Sequence, residues 1–145
     1  MENRLSKEEF KSIYSRVPRL CVEAVYYTPE KGVMLTKRAI KPAKGKWHTP
    51  GGTVYYKETL ENAAKRIAKK ELGADISVEK ILGVMEAQFY DNYHHDVSIV
   101  ISVKLLNDRI RLNNNEASEY AFFKTLPEDM IPTQKEFLLN HLDFK

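Results

Sequence analysis

A pair of glycines followed at fixed intervals by charged residues is the feature that most constrains how this chain folds. In order, the segment contains Gly51, Gly52, Glu58, Arg66, Glu71 and Gly73. The stretch from Thr59 to Leu72 is typical of a helix, and Gly73 is the usual residue just past a helix end. The segment therefore predicts a glycine-led loop followed by a helix that ends near Leu72.

Hydrophobic and turn patterns predict strands on both sides of this helix and a helix near each end of the chain. A hairpin is expected from Arg19–Tyr27 and Val33–Arg38. Ser6 with Glu9, and Thr133 with Glu136, have the spacing of capping boxes at the starts of the two outer helices. The other predicted elements are strands near Thr53–Tyr55, Ile76–Tyr90, Val97–Leu106 and Tyr120–Lys124 and a last helix near Thr133–Leu142. This order favours a mixed α/β or α+β sandwich.

Composition excludes several classes of protein. With 145 residues, 43% hydrophobic and 30% charged, the chain has the size and make-up of one globular domain covering residues 1–145. A single cysteine, Cys21, forms no internal disulfide, and no signal peptide or membrane-length apolar run is visible, so we expect a cytoplasmic protein without membrane contact. The net charge of +3 suits a small anionic substrate, whereas a nucleic-acid binder usually carries a dense basic block.

The glycine-led segment resembles the Nudix box, G-x5-E-x7-R-E-U-x-E-E-x-G-U, in which U is aliphatic. The matching positions are Gly52, Glu58, Arg66, Ala68, Glu71, Gly73 and Ala74. The preceding Trp47-His48-Thr49-Pro50 is similar to the W-x-x-P-G-G lead-in of that family. The resemblance implies an α/β/α sandwich with a mixed sheet, a Mg²⁺ cofactor with Mn²⁺ as the alternative, and hydrolysis of a nucleoside diphosphate linked to another moiety. It also implies that Arg66 and Glu58 pair, which would fix the loop against the helix.

Departures from the box are similar to those of one branch, the GDP-mannose mannosyl hydrolases. Ile67 and Lys70 stand where the box has Glu, and the likeness to the branch extends over roughly residues 5–123. The branch hydrolyses the C–O bond of the sugar, so the resemblance implies a GDP-mannose-like nucleotide sugar as substrate and a homodimer. The chain differs from the branch at Thr53 and Asp96, where the branch has an arginine and a tyrosine.

The resemblance also implies roles for individual residues. The metal would be held by the Gly51 carbonyl, Glu71 and Glu116. Two residues are implied to contact the substrate: Arg38, whose guanidinium suits phosphate, and Glu23, which replaces an Asp of the branch. Arg66 is implied to be one of the catalytic residues. Two readings of Lys70 stay open: its ammonium replaces a second cation at the substrate, or it extends into water.

The general base of the branch has no counterpart, because its histidine falls on Ala117. A base must reach the attacking water at hydrogen-bond distance, which alanine cannot do. The candidates are His94, His95, Glu119 and Glu23, and we expect His94 or His95 to serve because histidine titrates nearest to neutral pH.

Two rival functions remain open at this point. Glu116 and the missing histidine favour a pyrophosphohydrolase that cuts the P–O bond of a nucleotide. The changes at Ile67, Lys70 and Ala117 favour a nucleotide-binding module of the same fold that has lost catalysis. Intact Glu71, Glu116 and Gly51 argue against the second rival, because a pure binder does not need a metal site.

Overall fold

The strands of the molecule form two sheets, and its longest helix covers one face of the larger sheet. A computed structural model describes residues 5–41, 43–87, 95–113, 115 and 117–144. The described elements are α1 (Lys7–Tyr14), β1 (Arg19–Val25), β2 (Tyr27–Thr28), β3 (Gly32–Arg38), β4 (Trp47–His48), β5 (Gly51–Thr53), α2 (Leu60–Leu72), β6 (Ile76–Glu86), β7 (Asp96–Leu105), β8 (Ala117–Phe123) and α3 (Pro132–His141). None of these three described helices has the length and apolar character that a membrane span requires.

The larger sheet is mixed and has the strand order β5-β1-β7-β6. Strand β1 runs parallel to β7 and antiparallel to β5, while β6 and β7 are antiparallel. All residues of β1 from Cys21 to Val25 are buried, as in a central strand that is covered on both faces. The smaller sheet is antiparallel, with β2 and β4 on one edge of β3 and β8 on the other.

Side chains alternate across β1 and so contribute to two hydrophobic layers. Val22 and Ala24 pack with the apolar face of α2, whereas Val25 on the opposite face packs with Phe137 and Leu138 of α3. The mixed sheet therefore lies between α2 on one side and α3 with the smaller sheet on the other. This arrangement confirms the predicted α/β/α sandwich.

The predicted hairpin is wrong for most of its length. Only Tyr27–Thr28 pairs with β3, since the preceding residues, Arg19–Val25, join the other sheet between β5 and β7. The physical reason is the continuous burial of β1, which places it at the centre of a sheet, where partners on both edges satisfy its backbone.

Local capping signals correctly mark two of the three helices. Ser6 and Glu9 form the capping box of α1, and Thr59 caps α2, which ends at Gly73 in the left-handed conformation with φ 61°. The capping box predicted from Thr133 is wrong, because α3 has Ile131 at its N-cap and no side-chain hydrogen bond there. Pro132 starts this helix one residue early, so Thr133 lies inside the first turn and cannot cap it.

Candidate functional site

Strand β1 forms the floor of a cavity of about 280 Å³ that polar and apolar side chains line together, which we call the β1 cavity. Arg19, Cys21 and Glu23 line it because every second side chain of a strand points to the same face. The other charged side chains that line it are Arg38, Lys41, Glu71 and Asp96. The cavity therefore combines cations with carboxylates, as a site for a metal-bound anionic substrate requires.

Glu23 is buried in the floor and held by two hydroxyl groups. Its Oε2 accepts a hydrogen bond from Thr49 Oγ1 at 3.0 Å, and its Oε1 accepts one from Ser98 Oγ at 3.4 Å. Burial raises the pKa of Glu23 to about 8, while the hydrogen bond from Thr49 and the charge of Arg19 act in the opposite direction. A Cβ atom on Gly51 would lie 2.0 Å from Glu23 Oε2. Gly51 therefore leaves the space that this carboxyl group occupies.

The two predicted metal ligands within the described residues lie side by side. Glu71 is buried on α2, and its Oε2 accepts a hydrogen bond of 3.2 Å from the backbone nitrogen of Gly51. Carboxylate and carbonyl oxygens are the donors that Mg²⁺ and Mn²⁺ prefer, so this pair fits the implied cation. Among the described residues no group of three or more His, Cys, Asp or Glu side chains could hold a metal. Glu116, the third predicted ligand, lies outside the described residues.

Arg19 and Asp96 form an ion pair that the sequence interpretation missed. Arg19 Nε and Nη2 donate to the two carboxylate oxygens of Asp96 at 2.8 and 2.7 Å, and Nη1 donates to Thr53 Oγ1 at 2.8 Å. Burial acts to lower the pKa of Arg19, but the hydrogen bonds and charge of Asp96 raise it further, so the guanidinium stays charged. The sequence signal was the alternation of Arg19 and Glu23 with apolar residues in a buried strand. Two of the positions that differ from the branch, Thr53 and Asp96, thus both contact Arg19.

Arg66 holds the loop after β5 against α2, as the resemblance implies. Its Nε and Nη2 donate to Glu58 at 2.7 and 3.0 Å, and Nη2 also donates to the carbonyl of Thr53 at 2.7 Å. The guanidinium carbon lies 3.7 Å from the centre of the Tyr55 ring, a cation–π geometry. Arg66 thus fixes the backbone next to Gly51 and Gly52, and it lies in a second pocket rather than in the β1 cavity.

That second pocket, of about 200 Å³, also contains Lys70. Both cavities are lined by Arg19, Gly51, Gly52 and Glu71. The second pocket and the β1 cavity therefore meet at strand β5. Ile67 is buried beneath Gly52, whereas Lys70 is exposed at the pocket. Ile67 and Lys70, which stand where the box has Glu, therefore differ in role. Ile67 packs in the core, whereas Lys70 places a cation beside Glu71.

The basic loop after β3 forms the rim of the β1 cavity. Arg38, the last residue of β3, and Lys41 of this loop both line the cavity. The backbone of Arg38 holds the loop closed, because its nitrogen donates to the Lys46 carbonyl and its carbonyl accepts from the Gly45 nitrogen, each at 2.9 Å. The rim therefore presents two cations to whatever the cavity binds.

Uncharged polar side chains also line the β1 cavity, among them His48, Thr49 and Gln134. His48 Nε2 lies 3.0 Å from Thr36 Oγ1, and burial together with the charge of Arg38 lowers the pKa of His48 to about 3. His48 is therefore neutral over the physiological range. The backbone nitrogen of Thr49 donates to Gln134 Oε1 of α3 at 2.8 Å. No sequence signal marked Gln134, which lies in the last helix, far along the chain from the box.

The structure separates the base candidates. Ala117 lines the β1 cavity, and Glu23 is the one of the four candidates that lies in it within the described chain. His95 is exposed at the start of β7, where its carbonyl accepts from Arg19 N, and Glu119 is exposed on β8 beside Lys37. Neither side chain is among those that line the cavity. His94 lies outside the described residues.

Comparisons with known proteins agree with this architecture. A model of the NUDIX domain matches residues 17–140. The low-salt glycan biosynthesis protein Agl8 of Haloferax volcanii is 33% identical over 142 aligned positions, covering 93% of this chain and 89% of that protein. An ADP-ribose pyrophosphatase of Methanocaldococcus jannaschii is 32% identical over 106 positions, covering 73% of this chain but 62% of that protein. The crystal structure of a MutT NUDIX hydrolase from Burkholderia pseudomallei has a TM-score of 0.76 at 25% identity, covering 88% of this chain and all of that one.

Proposed function

Because this chain belongs to the Nudix hydrolase family, we propose that it hydrolyses a nucleoside diphosphate linked to a sugar, in a reaction that depends on Mg²⁺. The observation that carries this proposal is that one cavity is lined both by cations and by neutral hydrogen-bonding groups. Arg38 and Lys41 line it together with Gly51 and Glu71, where a diphosphate and its metal fit. The hydroxyl and amide groups of the same cavity fit a polyhydroxylated group.

The names of two relatives support this substrate class. One relative over almost the whole chain is a glycan biosynthesis protein, and sugar nucleotides are the activated sugars of glycan chemistry. The other is an ADP-ribose pyrophosphatase, whose substrate is also a nucleoside diphosphate linked to a sugar. Both names favour the same chemical class, and a GDP-mannose-like molecule is the member that the sequence resemblance suggests.

Each part of the site has a role in this proposal. Gly51, Glu71 and Glu116 would hold the metal, which when bound supplies positive charge to the departing diphosphate. Arg38 and Lys41 bind the phosphate oxygens and stabilise the same charge, while the ion pair with Asp96 fixes the Arg19 guanidinium at the floor. Arg66 acts through the backbone of Thr53, which it positions.

In the C–O reaction, water attacks the anomeric carbon while the bond from that carbon to the phosphate oxygen breaks. The water proton passes to a base and the electron pair leaves on the nucleoside diphosphate. The structure does not bring the predicted base His95 into the cavity, so we propose Glu23 as the acceptor of this proton within the described chain, acting in its ionised form above its raised pKa of about 8. Glu23→Gln would then lower kcat by about 10²–10⁴-fold, the usual contribution of a positioned base.

Cleavage of a P–O bond is the second candidate, and the ADP-ribose pyrophosphatase relative favours it. Hydrolysis of a panel of nucleotide sugars in ¹⁸O-water separates the two reactions. Label in the released sugar establishes C–O cleavage, and label in a phosphate product establishes P–O cleavage. Glu71→Gln is the matched control, because it removes the metal carboxylate and should incorporate no label above background. Failure of the wild-type protein to hydrolyse any member with Mg²⁺ or Mn²⁺ would contradict the proposed function.

A further inference from the structure

We propose that Gln134 determines substrate specificity, its side-chain amide nitrogen donating a hydrogen bond to an oxygen acceptor on the substrate. The inference rests on the proposed function, since it takes the β1 cavity as the substrate site. The oxygen has two chemical sources, a sugar hydroxyl or a nucleobase carbonyl. Gln134 lies in the first turn of α3, and nothing in the Nudix box refers to that helix.

The orientation of the Gln134 amide is fixed by the backbone. Thr49 N–H can only donate, so the atom that it meets at 2.8 Å must be the amide oxygen, Oε1. The amide nitrogen, Nε2, therefore points the other way. Thr49 is two residues before Gly51 and also donates to Glu23. The amide is thus locked to the same loop that carries the predicted metal ligand.

The amide nitrogen is nearly buried and has no hydrogen-bond partner within the described part of the chain. The Gln134 side chain is 8% exposed, and its single hydrogen bond to the described residues uses Oε1. No fully buried side-chain nitrogen or oxygen of the described residues lacks a partner, so Nε2 must reach open space. Gln134 lines the β1 cavity, which is that space. A donor held in this orientation at the cavity surface can bond to an acceptor oxygen of the ligand.

The start of α3 adds further donors at the same place. Ile131 is its N-cap and provides no side-chain hydrogen bond, while Ile131, Thr133 and Gln134 all line the β1 cavity. The Ile131 nitrogen donates to the Trp47 carbonyl and Pro132 has no N–H, so the backbone nitrogens of Thr133 and Gln134 are the donors of this turn that have no partner inside the helix. Together with Gln134 Nε2 they favour a group that carries acceptor oxygens at this place.

The test compares Gln134→Glu with Gln134→Met. Glutamate keeps an oxygen for Thr49 N–H but removes the donor, whereas methionine removes both groups at nearly constant volume. Asn140→Asp makes the same amide-to-acid change at an exposed position of α3 and is the control. Binding, measured by calorimetry with Mg²⁺, and steady-state hydrolysis are followed for nucleotide sugars that differ in one base carbonyl or one sugar hydroxyl.

We expect Gln134→Glu to retain the melting temperature while weakening binding and raising KM about 5–20-fold, the size of one lost hydrogen bond. The effect should vanish for the analogue that lacks the recognised oxygen, and the identity of that analogue assigns the source to base or sugar. The proposal is overturned if Gln134→Glu behaves as wild type while Gln134→Met is merely unstable, or if both variants weaken all analogues equally. If the wild-type protein neither binds nor hydrolyses any nucleotide sugar, the proposed function fails and this inference with it.

Discussion

At the scale of single residues, Gly51 is the point where the backbone meets carboxylates from two different elements. Glu71 of α2 accepts a hydrogen bond from its nitrogen, and Glu23 of β1 packs against its Cα atom. A glycine is required here because any side chain would displace the Glu23 carboxyl group. The residue thus matters for the space beside it as well as for its carbonyl.

The lack of space at Gly51 predicts that alanine destabilises the protein more at Gly51 than at Gly52. Gly51→Ala places a Cβ atom 2.0 Å from Glu23 Oε2, which is buried and hydrogen bonded and so cannot move freely. We expect a loss of about 1–3 kcal/mol in the free energy of unfolding, as for overpacking in a core. Gly52→Ala is the matched control, since its Cβ atom would lie 3.5 Å from Ile67 Cδ1, an ordinary contact. Equal stability of the two variants in urea unfolding would contradict this account.

The carboxylate of Glu71 predicts a loss of activity without a loss of fold. In Glu71→Gln the side-chain oxygen still accepts a hydrogen bond from Gly51 N–H, but the negative charge is gone. We expect Mg²⁺-dependent hydrolysis to fall by at least about 10²-fold, as when a charge-stabilising group is removed from an active site. Thermal unfolding without metal should be close to wild type. Near-normal turnover would remove Glu71 from the metal site.

At the scale of elements, helix α2 and its flanking loops could be predicted from sequence because their signals are local. Gly73 and the pair Glu58–Arg66 are close in the chain to what they contact and were predicted correctly, and the helix predicted from Thr59 begins at Leu60 with Thr59 as its N-cap. The partners of β1 were not predictable in this way. Arg19 and Asp96 are 77 positions apart, so their ion pair depends on the parallel pairing of β1 with β7, which no turn or cap specifies. Gln134 was missed for the same reason.

The ion pair of Glu58 with Arg66 predicts how the loop–helix unit responds to acid. The hydrogen bonds from Arg66 hold the pKa of Glu58 below its usual value of 4.5. A carboxyl group with a lowered folded pKa stabilises the protein above its unfolded pKa, and this contribution is lost as the pH falls through the folded value. Glu58→Gln should therefore be less stable than wild type at pH 7, and the difference should shrink below about pH 4.5.

Urea unfolding at a series of pH values measures this difference. Glu61→Gln on the same helix is the control, because its ion pair with Lys65 is about half exposed and contributes little. A stability difference between wild type and Glu58→Gln that stayed constant from pH 7 to pH 3 would show that the hydrogen bonds, not the charge, hold the loop.

At the scale of the whole molecule, the β1 cavity lies where the two sheets and α3 meet. The segment before α3 is joined to β4 by backbone hydrogen bonds from Trp47 to Asp129 and from Ile131 to Trp47. The hydrogen bond from Thr49 to Gln134 adds a further link between this region and α3, and His48 links β4 to β3 through Thr36. Protonation of a buried group among these contacts is therefore expected to lower the stability of the whole fold.

His48 predicts a loss of global stability in mild acid. Its folded pKa is lowered by burial to about 3, below the value of 6.5 for an exposed histidine. The unfolded chain consequently binds one more proton between these values, and stability falls as the pH is lowered from 6.5 towards 3. His48→Gln retains a hydrogen-bonding group for Thr36 but does not titrate, so its stability should fall less over this range. Chemical denaturation between pH 8 and pH 4 measures the slopes, with exposed His95→Gln as the control. Identical slopes for wild type and His48→Gln would rule His48 out as the cause.

The central position of β1 has a consequence for how the cavity meets its ligand. Its amide groups are bonded to β5 on one edge and to β7 on the other, so they open to solvent exchange only when the sheet itself opens. Arg38 and Lys41, by contrast, lie at the strand end and loop of the rim. Arg19 and Glu23 are thus preorganised on a strand whose opening requires a high free energy. Conformational changes that fit different substrates are expected at the rim and in the first turn of α3.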